Sequence, residues 1–306
     1  MFQHLLVPLD GSSLAEAALP VAAALAAALD ARVTLIHIIE ERPPSTVHGE
    51  RHLGDSAEAT AYLEAVRRQA FAPEAAVTLH VHIAPTEDVA QGIVAHQAEL
   101  GPDLIVLCTH GRGGLRRLLV GSIAQQVVGA GRTPVLLVRP EARPETFPYQ
   151  TVLVPVDGDS RHEPGLAVGA ELAGRLGATL RLLSVIPTPS TLAGRSATLD
   201  RFLPASNRRV LAVAEEERRA YLGHLAKQWH QKGVKIDAEV RRGEVAGVIA
   251  DAADAAIASL VVLATHGRAG TKAFWSDSTA ARVQAQTTRP LLLVPLSEKI
   301  DSEPAT

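Results

Sequence analysis

A glycine-rich stretch from Cys108 to Ser122, CTHGRGGLRRLLVGS, carries residue types suited to binding an anion. The apolar run before it, 103–107, is typical of a strand buried on both faces, and the run after it, 123–128, has apolar residues at helical spacing. Its glycines let backbone N–H groups point toward one ligand with no side chain in the way. The N-terminus of the following helix adds unpaired N–H donors and a positive dipole. The segment therefore predicts a phosphate-binding loop.

This loop matches neither of two common phosphate-binding motifs. No Gly-Lys-Ser/Thr follows at the spacing of a Walker A loop, and it is not the dinucleotide-binding G-x-G-x-x-G of a first strand-to-helix turn. A near copy of the start of this loop occurs in the second half of the chain. Residues 264–270, ATHGRAG, repeat residues 108–114, CTHGRGG, at an offset of 266 − 110 = 156 residues. A turn with only a mechanical role would not need Thr-His-Gly-Arg twice, so the repetition favours a shared binding role.

Segments of strand length alternate with helical segments through the first half of the chain. The predicted strands are 3–9, 33–39, 77–83, 103–107 and 134–138, and the predicted helices are 13–30 (interrupted by Pro20), 55–71, 88–101 and one starting at 122. Five strands alternating with four helices predict an α/β fold, a doubly wound parallel sheet with helices on both faces.

The same order of segments restarts after a proline-rich linker. Residues 151–157, TVLVPVD, match 4–10, HLLVPLD, at an offset of 157 − 10 = 147, whereas the later segments match at 156. The second half has therefore gained nine residues (156 − 147), which we place in the Pro/Ser/Arg-rich segment 187–209. The chain is predicted to hold two copies of one domain. The predicted limits are 1–140 for the first domain, 141–150 for the linker, 151–296 for the second domain and 297–306 for a C-terminal tail.

Composition narrows the classes of function. The chain has 306 residues, 47% of them hydrophobic, and a formal net charge of −3, which gives no field that would recruit nucleic acid or an anionic membrane surface. Its one cysteine excludes an internal disulfide. The first residues lack a signal-peptide pattern, and no apolar stretch reaches the length of a membrane span, so a cytoplasmic protein is expected.

With both copies laid out, the sequence resembles the tandem form of the universal stress protein family over nearly its whole length. The family pattern is a small residue, two residues, Gly, nine residues and Gly-Ser/Thr, found here as Cys108, Gly111 and Gly121-Ser122. The strand ends at 8–12, PLDGS, and 134–139, PVLLVR, also match. The resemblance implies two Rossmann-like domains, each with a five-stranded parallel sheet of order 3-2-1-4-5. That order places the ends of the first and fourth strands side by side, where ligands of such sheets bind.

The resemblance further implies an ATP site in the first half. Asp10 and its two preceding residues would contact adenine and ribose, Ile38 would wall the adenine, and the glycine loop would hold the phosphates together with Mg²⁺. The implied residues are Pro8, Leu9, Asp10, Ile38, Leu107, Cys108, His110, Gly111, Arg112, Gly121, Ser122 and Ile123. The corresponding second site would comprise Pro155, Val156, Asp157, Val185, Ala264, Gly267, Arg268, Asp277, Ser278 and Thr279.

The second copy departs from the pattern at Asp277, where the first copy has Gly121. The substitution adds a Cβ and a negative charge where a phosphate should approach. Two unit charges about 4 Å apart repel by roughly 4 kcal/mol at an effective dielectric near 20, close to a thousandfold in affinity. Asp277 could itself occupy the phosphate position at the helix N-terminus, while a bridging Mg²⁺ would rescue binding. The hypothesis is that the first half binds ATP and the second is weakened or empty, although Ser278 can still cap its helix.

Several of these residues have a structural alternative. Asp10 could cap the first helix, His110 and His266 could be hydrogen-bonded loop residues, and the arginines after Gly111 could form a solvated cluster. Cys108 could be a reactive thiol, but its counterpart Ala264 favours a space-filling role. The pairs His48/His52 and His80/His82 have metal-compatible spacing but lack further ligands, so no metal site is predicted from them.

The function predicted is that of an ATP-binding regulatory protein of the stress response. No residue set that would position and activate a water is recognised, so an enzyme is not predicted, and slow ATP hydrolysis is left open. An adenylating or hydrolysing enzyme of the adenine-nucleotide class would need His-x-Gly-His or Ser-Gly-Gly-x-Asp-Ser, and both are absent. A nucleotide-free protein-interaction module is the other alternative. The edge strands 134–138 and 290–294 predict internal pairing of the halves, with a homodimer of chains left open.

Overall fold

The computed structural model describes residues 1–41, 45–83, 88–109, 122–130, 132–140, 149–188, 204–266 and 278–296, with the backbone alone for 83, 122, 204–208 and 266. Both glycine loops, 110–121 and 267–277, therefore lie outside the described residues, as do the tail 297–306 and most of the linker. In the described part of the chain no helix is both long enough and apolar enough to cross a membrane.

The first half alternates strands and helices as predicted. Its strands are β1 (His4–Pro8), β2 (Arg32–Ile39), β3 (Thr46–Val47), β4 (Glu50–Arg51), β5 (Val77–Ile83), β6 (Leu104–Cys108) and β7 (Val135–Val138). Its helices are α1 (Ser13–Glu16), α2 (Leu19–Leu29), α3 (Ser56–Ala70), α4 (Val89–Leu100) and α5 (Ser122–Ala130).

The second half repeats this order with one larger helix. Its strands are β8 (Thr151–Pro155), β9 (Thr179–Ile186), β10 (Lys235–Arg242), β11 (Leu260–His266) and β12 (Leu291–Leu296). Its helices are α6 (Glu163–Leu176), α7 (Pro204–His230), α8 (Val245–Ala255) and α9 (Thr279–Gln286), and a short 3₁₀ helix covers Ser160–His162.

The strands are apolar on both sides because helices cover both faces of the sheet. Within each half the strand order is β5-β2-β1-β6-β7 or β10-β9-β8-β11-β12, which confirms the predicted order 3-2-1-4-5 and the parallel, doubly wound class. Alternate residues of β1 and β6 belong to different cores: Leu5 and Val106 to the core that includes residues of α2, α3, α6 and α7, and Leu6 and Ile105 to the core that includes residues of α4, α5, α8 and α9.

Two local features differ from the prediction. The helix expected over 13–30 is divided into α1 and α2, because Pro20 has no N–H to continue a helix and stands in the first turn of α2. The segment between β2 and α3, expected to be a loop, contains the hairpin β3–β4, whose two-residue strands are too short and polar to show a strand period. The second half has no such hairpin among its described residues and instead has α7, of 27 residues, where α3 has 15.

The two halves meet along β7 and β12, which are hydrogen-bonded antiparallel with Leu137 opposite Leu291 and Leu136 opposite Leu292. Ten of the twelve strands in the described residues thereby form one continuous sheet, and β3 and β4 form the separate hairpin. Side chains also cross the junction. Arg139 Nη1 donates to the carbonyl oxygens of residues 284, 285 and 287, at the C-terminus of α9, over 3.2–3.4 Å. Gln284 Nε2 donates to the buried Thr109 Oγ1 over 3.0 Å.

Arg139 should contribute measurably to stability, because a cation that caps helix C-terminal carbonyls satisfies unpaired acceptors and opposes the helix dipole. Arg139→Met keeps most of the aliphatic stem and removes the charge. We expect a loss of about 1–2 kcal/mol in the free energy of unfolding, measured by urea denaturation of the full chain. The control is Arg132→Met, at an exposed arginine of the same half. An equal effect of both substitutions would contradict this role of Arg139.

Candidate functional site

The first strand of each half ends in an Asp-Gly turn that faces the crevice between β1 and β6 or between β8 and β11. Gly11 has φ +86° and Gly158 has φ +83°, a left-handed conformation that a side chain disfavours. Asp10 Oδ1 accepts from the backbone N of Ser12 over 2.9 Å, and Asp157 Oδ1 accepts from the N of Asp159 over 3.0 Å. The two halves thus build the same turn from the same residue types.

Asp10 does not cap the first helix itself. Ser12 does so, because its Oγ accepts from the N of Ala15 over 3.2 Å. Asp10 supports that hydroxyl by accepting from Ser12 Oγ over 2.6 Å. The second carboxylate oxygen of Asp10 faces His48, whose Nε2 lies 3.5 Å away. The Asp10 side chain is one-third exposed (33%) and borders the crevice.

The hairpin β3–β4 brings His48 to this position. His48 (φ 51°) and Gly49 (φ 84°) form the two-residue turn that joins the strands, a conformation typical of tight hairpins. Glu50, the next residue, accepts from Ser13 N over 3.1 Å and from Ser13 Oγ over 2.7 Å. A carboxylate at the start of α1 also interacts favourably with the helix dipole. The hairpin is therefore held against α1, with His48 over the crevice.

Two further histidines border the crevice beneath the hairpin. His37, at 1% exposure, donates from Nδ1 to the carbonyl oxygen of Leu9 over 2.8 Å. Burial lowers the pKa of His37, and the hydrogen bond to Leu9 opposes that shift only in part. The ring of His52 lies 6.3 Å from that of His37, and its Nε2 is 3.5 Å from Glu40 Oε1. Two carboxylate–imidazole pairs, Asp10 with His48 and Glu40 with His52, thus border the crevice.

These elements enclose a cavity of about 310 Å³ at the carboxyl ends of β1, β2 and β6. Seven of the residues predicted for the first site line it: Pro8, Leu9, Asp10, Ile38, Leu107, Cys108 and Ile123. His110, Gly111, Arg112 and Gly121 lie outside the described residues, and Ser122 is described only as the first residue of α5. Val89 and Ile93 of α4 add further apolar side chains to its lining.

The second half has a corresponding cavity of about 680 Å³. It is lined by seven predicted residues: Pro155, Val156, Asp157, Val185, Ala264, Ser278 and Thr279. Gly267, Arg268 and Asp277 lie outside the described residues. Ser278 Oγ accepts from the N of Ala281 over 3.1 Å, which confirms the predicted cap of this helix.

Different residues approach the aspartate in the second cavity. His162 Nδ1 lies 2.7 Å from Asp157 Oδ2, and Arg218 of α7 packs over Gly158 and lines the cavity. The sequence did not single out His37, Glu40 or Arg218. His37 stands inside a strand, where its neighbours are apolar, while Glu40 and Arg218 belong to segments with no motif. That these residues line the cavities follows only from the tertiary structure, which brings their segments to the carboxyl ends of the strands.

The buried His37 should make the protein less stable in acid. Its pKa is lowered in the folded state, so below about pH 6.5 the unfolded state binds more protons and stability falls with pH. His37→Asn keeps an amide donor for Leu9 and cannot be protonated. We expect a smaller loss of unfolding free energy between about pH 7 and pH 5 than in the wild type. His4 and His96, whose pKa values burial also lowers, keep part of the slope.

Urea denaturation across that pH range measures the effect, and His224→Asn, at an exposed histidine of α7, is the control. An unchanged slope in His37→Asn would show that this histidine titrates alike in both states.

Comparison with known proteins assigns the fold to a family. The sequence model of the Universal stress protein family matches residues 1–139 and 148–295. A universal stress protein of Mycolicibacterium smegmatis is 25% identical over 299 residues, which cover 95% of this chain and 96% of that protein. One from Thermus aquaticus is 35% identical over 145 residues, 45% of this chain and 100% of that protein.

Among solved structures, a universal stress protein from Archaeoglobus fulgidus shares the fold with a TM-score of 0.65 and 14% identity, over 96% of this chain and 97% of that one. The match to the family model extends over both halves, and each half has the strand order that the resemblance implied. The chain belongs to the universal stress protein family and carries its domain twice.

Proposed function

We propose that this protein binds ATP in the first-half cavity and acts as a nucleotide-dependent regulator in the stress response. The observation that carries the proposal is the convergence of Asp10, Ile38, Leu107 and Ile123 around one cavity, although Ile38 and Ile123 are 123 − 38 = 85 positions apart in the sequence. The cavity lies at the switch point of the sheet, where the strand order reverses and ligands of open α/β folds bind.

The adenine end of the proposed site is lined by aliphatic side chains. Ile38 at the end of β2 and Leu107 at the end of β6 are both buried, and Ile93 faces them from α4. A flat base between aliphatic side chains removes apolar surface from water at about 25 cal/mol per Å². The partly exposed carboxylate of Asp10 lines the same cavity and could accept hydrogen bonds from ribose hydroxyls.

The phosphate end is proposed from the sequence of the loop and from the place where α5 begins. The helix starts at Ser122, directly after the glycine loop, and Ile123 lines the cavity. The amide groups of the first turn are unpaired within the helix and are the donors that phosphate oxygens use. Mg²⁺ bound with the phosphates would neutralise part of their charge.

The second half is proposed to be the weaker site. Asp277 replaces the last loop glycine next to Ser278, whose hydroxyl already caps α9. Arg218 places a positive charge in the larger cavity. This charge would attract either the Asp277 carboxylate or a phosphate group of a ligand. If the carboxylate occupies that place, the second half keeps its form without nucleotide.

We also propose that the two halves of one chain pair through β7 and β12 in solution. The support is the antiparallel register and the hydrogen bonds of Arg139 and Gln284 across the junction. This pairing uses both fifth strands, so β5 and β10 are left as the outer edges of the sheet. A homodimer of chains would then have to use a surface other than the fifth strands.

The two aspartates provide a matched test of which half binds. Asp10→Asn removes the charge that would accept from ribose, and we expect ATP affinity to fall about tenfold to a hundredfold, since hydrogen bonds to charged groups contribute about 1.5–3 kcal/mol. Asp157→Asn makes the same change in the second half and should leave the measured affinity unchanged. Isothermal calorimetry with Mg²⁺ on the full chain measures both. Loss of affinity only in Asp157→Asn would move the working site to the second half.

The loop substitutions test the asymmetry directly. Gly121→Asp places in the first half the carboxylate that the second half carries, and we expect it to weaken ATP binding close to a thousandfold. Asp277→Gly reverses the change, and we expect the stoichiometry to rise from one ATP per chain to two. Two sites in the wild type would refute the asymmetry but not ATP binding.

No binding of ATP by the wild-type chain would refute the proposed ligand and favour a nucleotide-free interaction module. Release of phosphate from bound ATP, measured over hours, would add slow hydrolysis to the binding role.

A further inference from the structure

Three imidazole rings meet on one side of the edge strand β5. Residues of a strand alternate between its faces, and Val77, Leu79 and Val81 pack into the core that includes α3. His80 and His82 therefore point to the opposite face, where α4 crosses. His96 of α4 meets them there, with its ring centroid 4.7 Å from that of His80 and 4.3 Å from that of His82.

The nitrogen atoms of this histidine cluster (His80, His82 and His96) lie close together and are poorly satisfied. One ring nitrogen from each residue lies within 4.8 Å of the others. Nε2 of His80 and Nε2 of His96 are both buried without a hydrogen-bond partner. Leaving a buried polar atom unpaired costs about 1–3 kcal/mol, so a cluster of such atoms calls for a ligand.

Glu99 orients the most buried of the three rings. Its Oε2 lies 2.9 Å from Nδ1 of His96, and an ionised carboxylate can only accept, so Nδ1 carries the proton. Nε2 of His96 is then the lone-pair nitrogen, and it is buried without a hydrogen-bond partner. A carboxylate bound to the distal nitrogen of a histidine is the usual outer partner of a metal-binding imidazole.

The second half shows that the fold does not require these histidines. In the first half His80 and His82 of β5 lie beside Ile36 and Ile38 of β2. The corresponding residues of β9 are Leu183 and Val185, because Leu183 pairs with Pro155 as Ile36 pairs with Pro8. Their partners on β10, which take the places of His80 and His82, are Glu239 and Arg241. Glu239 and Arg241 form an ion pair of 3.0 Å instead. Counted from the N-caps of α4 and α8, Asp88 and Glu244, the residue at the place of His96 is an alanine at 252. The cluster is thus a property of the first half alone.

We propose that the histidine cluster is a binding site for a first-row transition metal ion, with Zn²⁺ the ion it suits best. Three neutral imidazoles are a common protein ligand set for zinc, and the sequence expectation that His80 and His82 lack a further ligand is corrected by His96. Zinc–nitrogen bonds of about 2.0–2.1 Å in a tetrahedral site place nitrogens about 3.4 Å apart. The observed nitrogens lie within 4.8 Å of one another, so binding would require the rings to turn until this spacing shortens.

The proposed ion would be coordinated by three protein nitrogens and one water. Its protein ligands come from one strand and one helix, so the ion would tie the edge strand β5 to α4. Imidazole ligands favour zinc, copper and nickel over Mg²⁺, which prefers oxygen. The site is therefore distinct in chemistry from any Mg²⁺ that accompanies a nucleotide.

The test uses the full chain, stripped with a chelator and dialysed against metal-free buffer. Zn²⁺ is titrated in competition with a chromogenic chelator, and Co²⁺ is added separately to record the intense d–d absorption of a four-coordinate site. We expect one Zn²⁺ per chain, loss of that equivalent in His82→Ala and in His96→Gln, and a tenfold to hundredfold weaker site in Glu99→Gln. His224→Ala, at an exposed histidine of α7, is the matched control and should bind as the wild type does.

His48→Ala separates this cluster from the histidines of the first-half cavity, and it should also retain the zinc. The far-ultraviolet circular dichroism of each variant establishes that it is folded. His82→Ala is the substitution that should disturb folding least, because His82 is half-buried and lies on an edge strand. Absence of stoichiometric Zn²⁺ and Co²⁺ binding by the wild type would overturn the proposal. So would full retention of the metal in His82→Ala, or its loss in His48→Ala alone.

Discussion

The arrangement of this protein depends on the burial of parallel strands on both faces. Leu5 and Leu6 are neighbours in β1, both fully buried, and they pack into opposite cores. A strand of this kind needs helices on both sides, so the chain must leave β1 toward one face and β6 toward the other. The two strand ends then stay adjacent while their loops diverge. The crevice between them is a consequence of the sheet, and each half has one.

What covers the crevice differs between the halves, and so does its chemistry. In the first half the short hairpin β3–β4 lies over the strand ends and adds His48 beside Asp10. In the second half the space is reached by the longer α7, which brings Arg218, and the cavity is about 680 Å³ instead of about 310 Å³. Insertions at this one connection change the charge and size of the site and leave the sheet unaltered. Divergence of function between the copies can therefore occur without any change in the core.

The sequence was sufficient for those features that depend on local periodicity and on repetition. Buried runs such as 103–107 reveal their strands, and the double occurrence of Thr-His-Gly-Arg reveals the two copies. Features that depend on contacts between residues far apart in the chain could not be predicted from the sequence. His80 and His82 are visible as a pair, but their convergence with His96 requires the crossing of α4 over β5. Arg139 is likewise recognised as a helix cap only when β7 lies beside the second half.

Helix α4 belongs to both candidate sites of the first half. Ile93 lines the cavity, and His96, three residues later, belongs to the histidine cluster. At Gly92 the helix approaches β2 so closely that a Cβ would lie 2.8 Å from Cδ1 of Ile38, a residue that also lines the cavity. Two ligands influence each other only if their common element differs between the states they select. A helix packed this tightly has little room to move toward the sheet, which favours two sites that are occupied independently of one another.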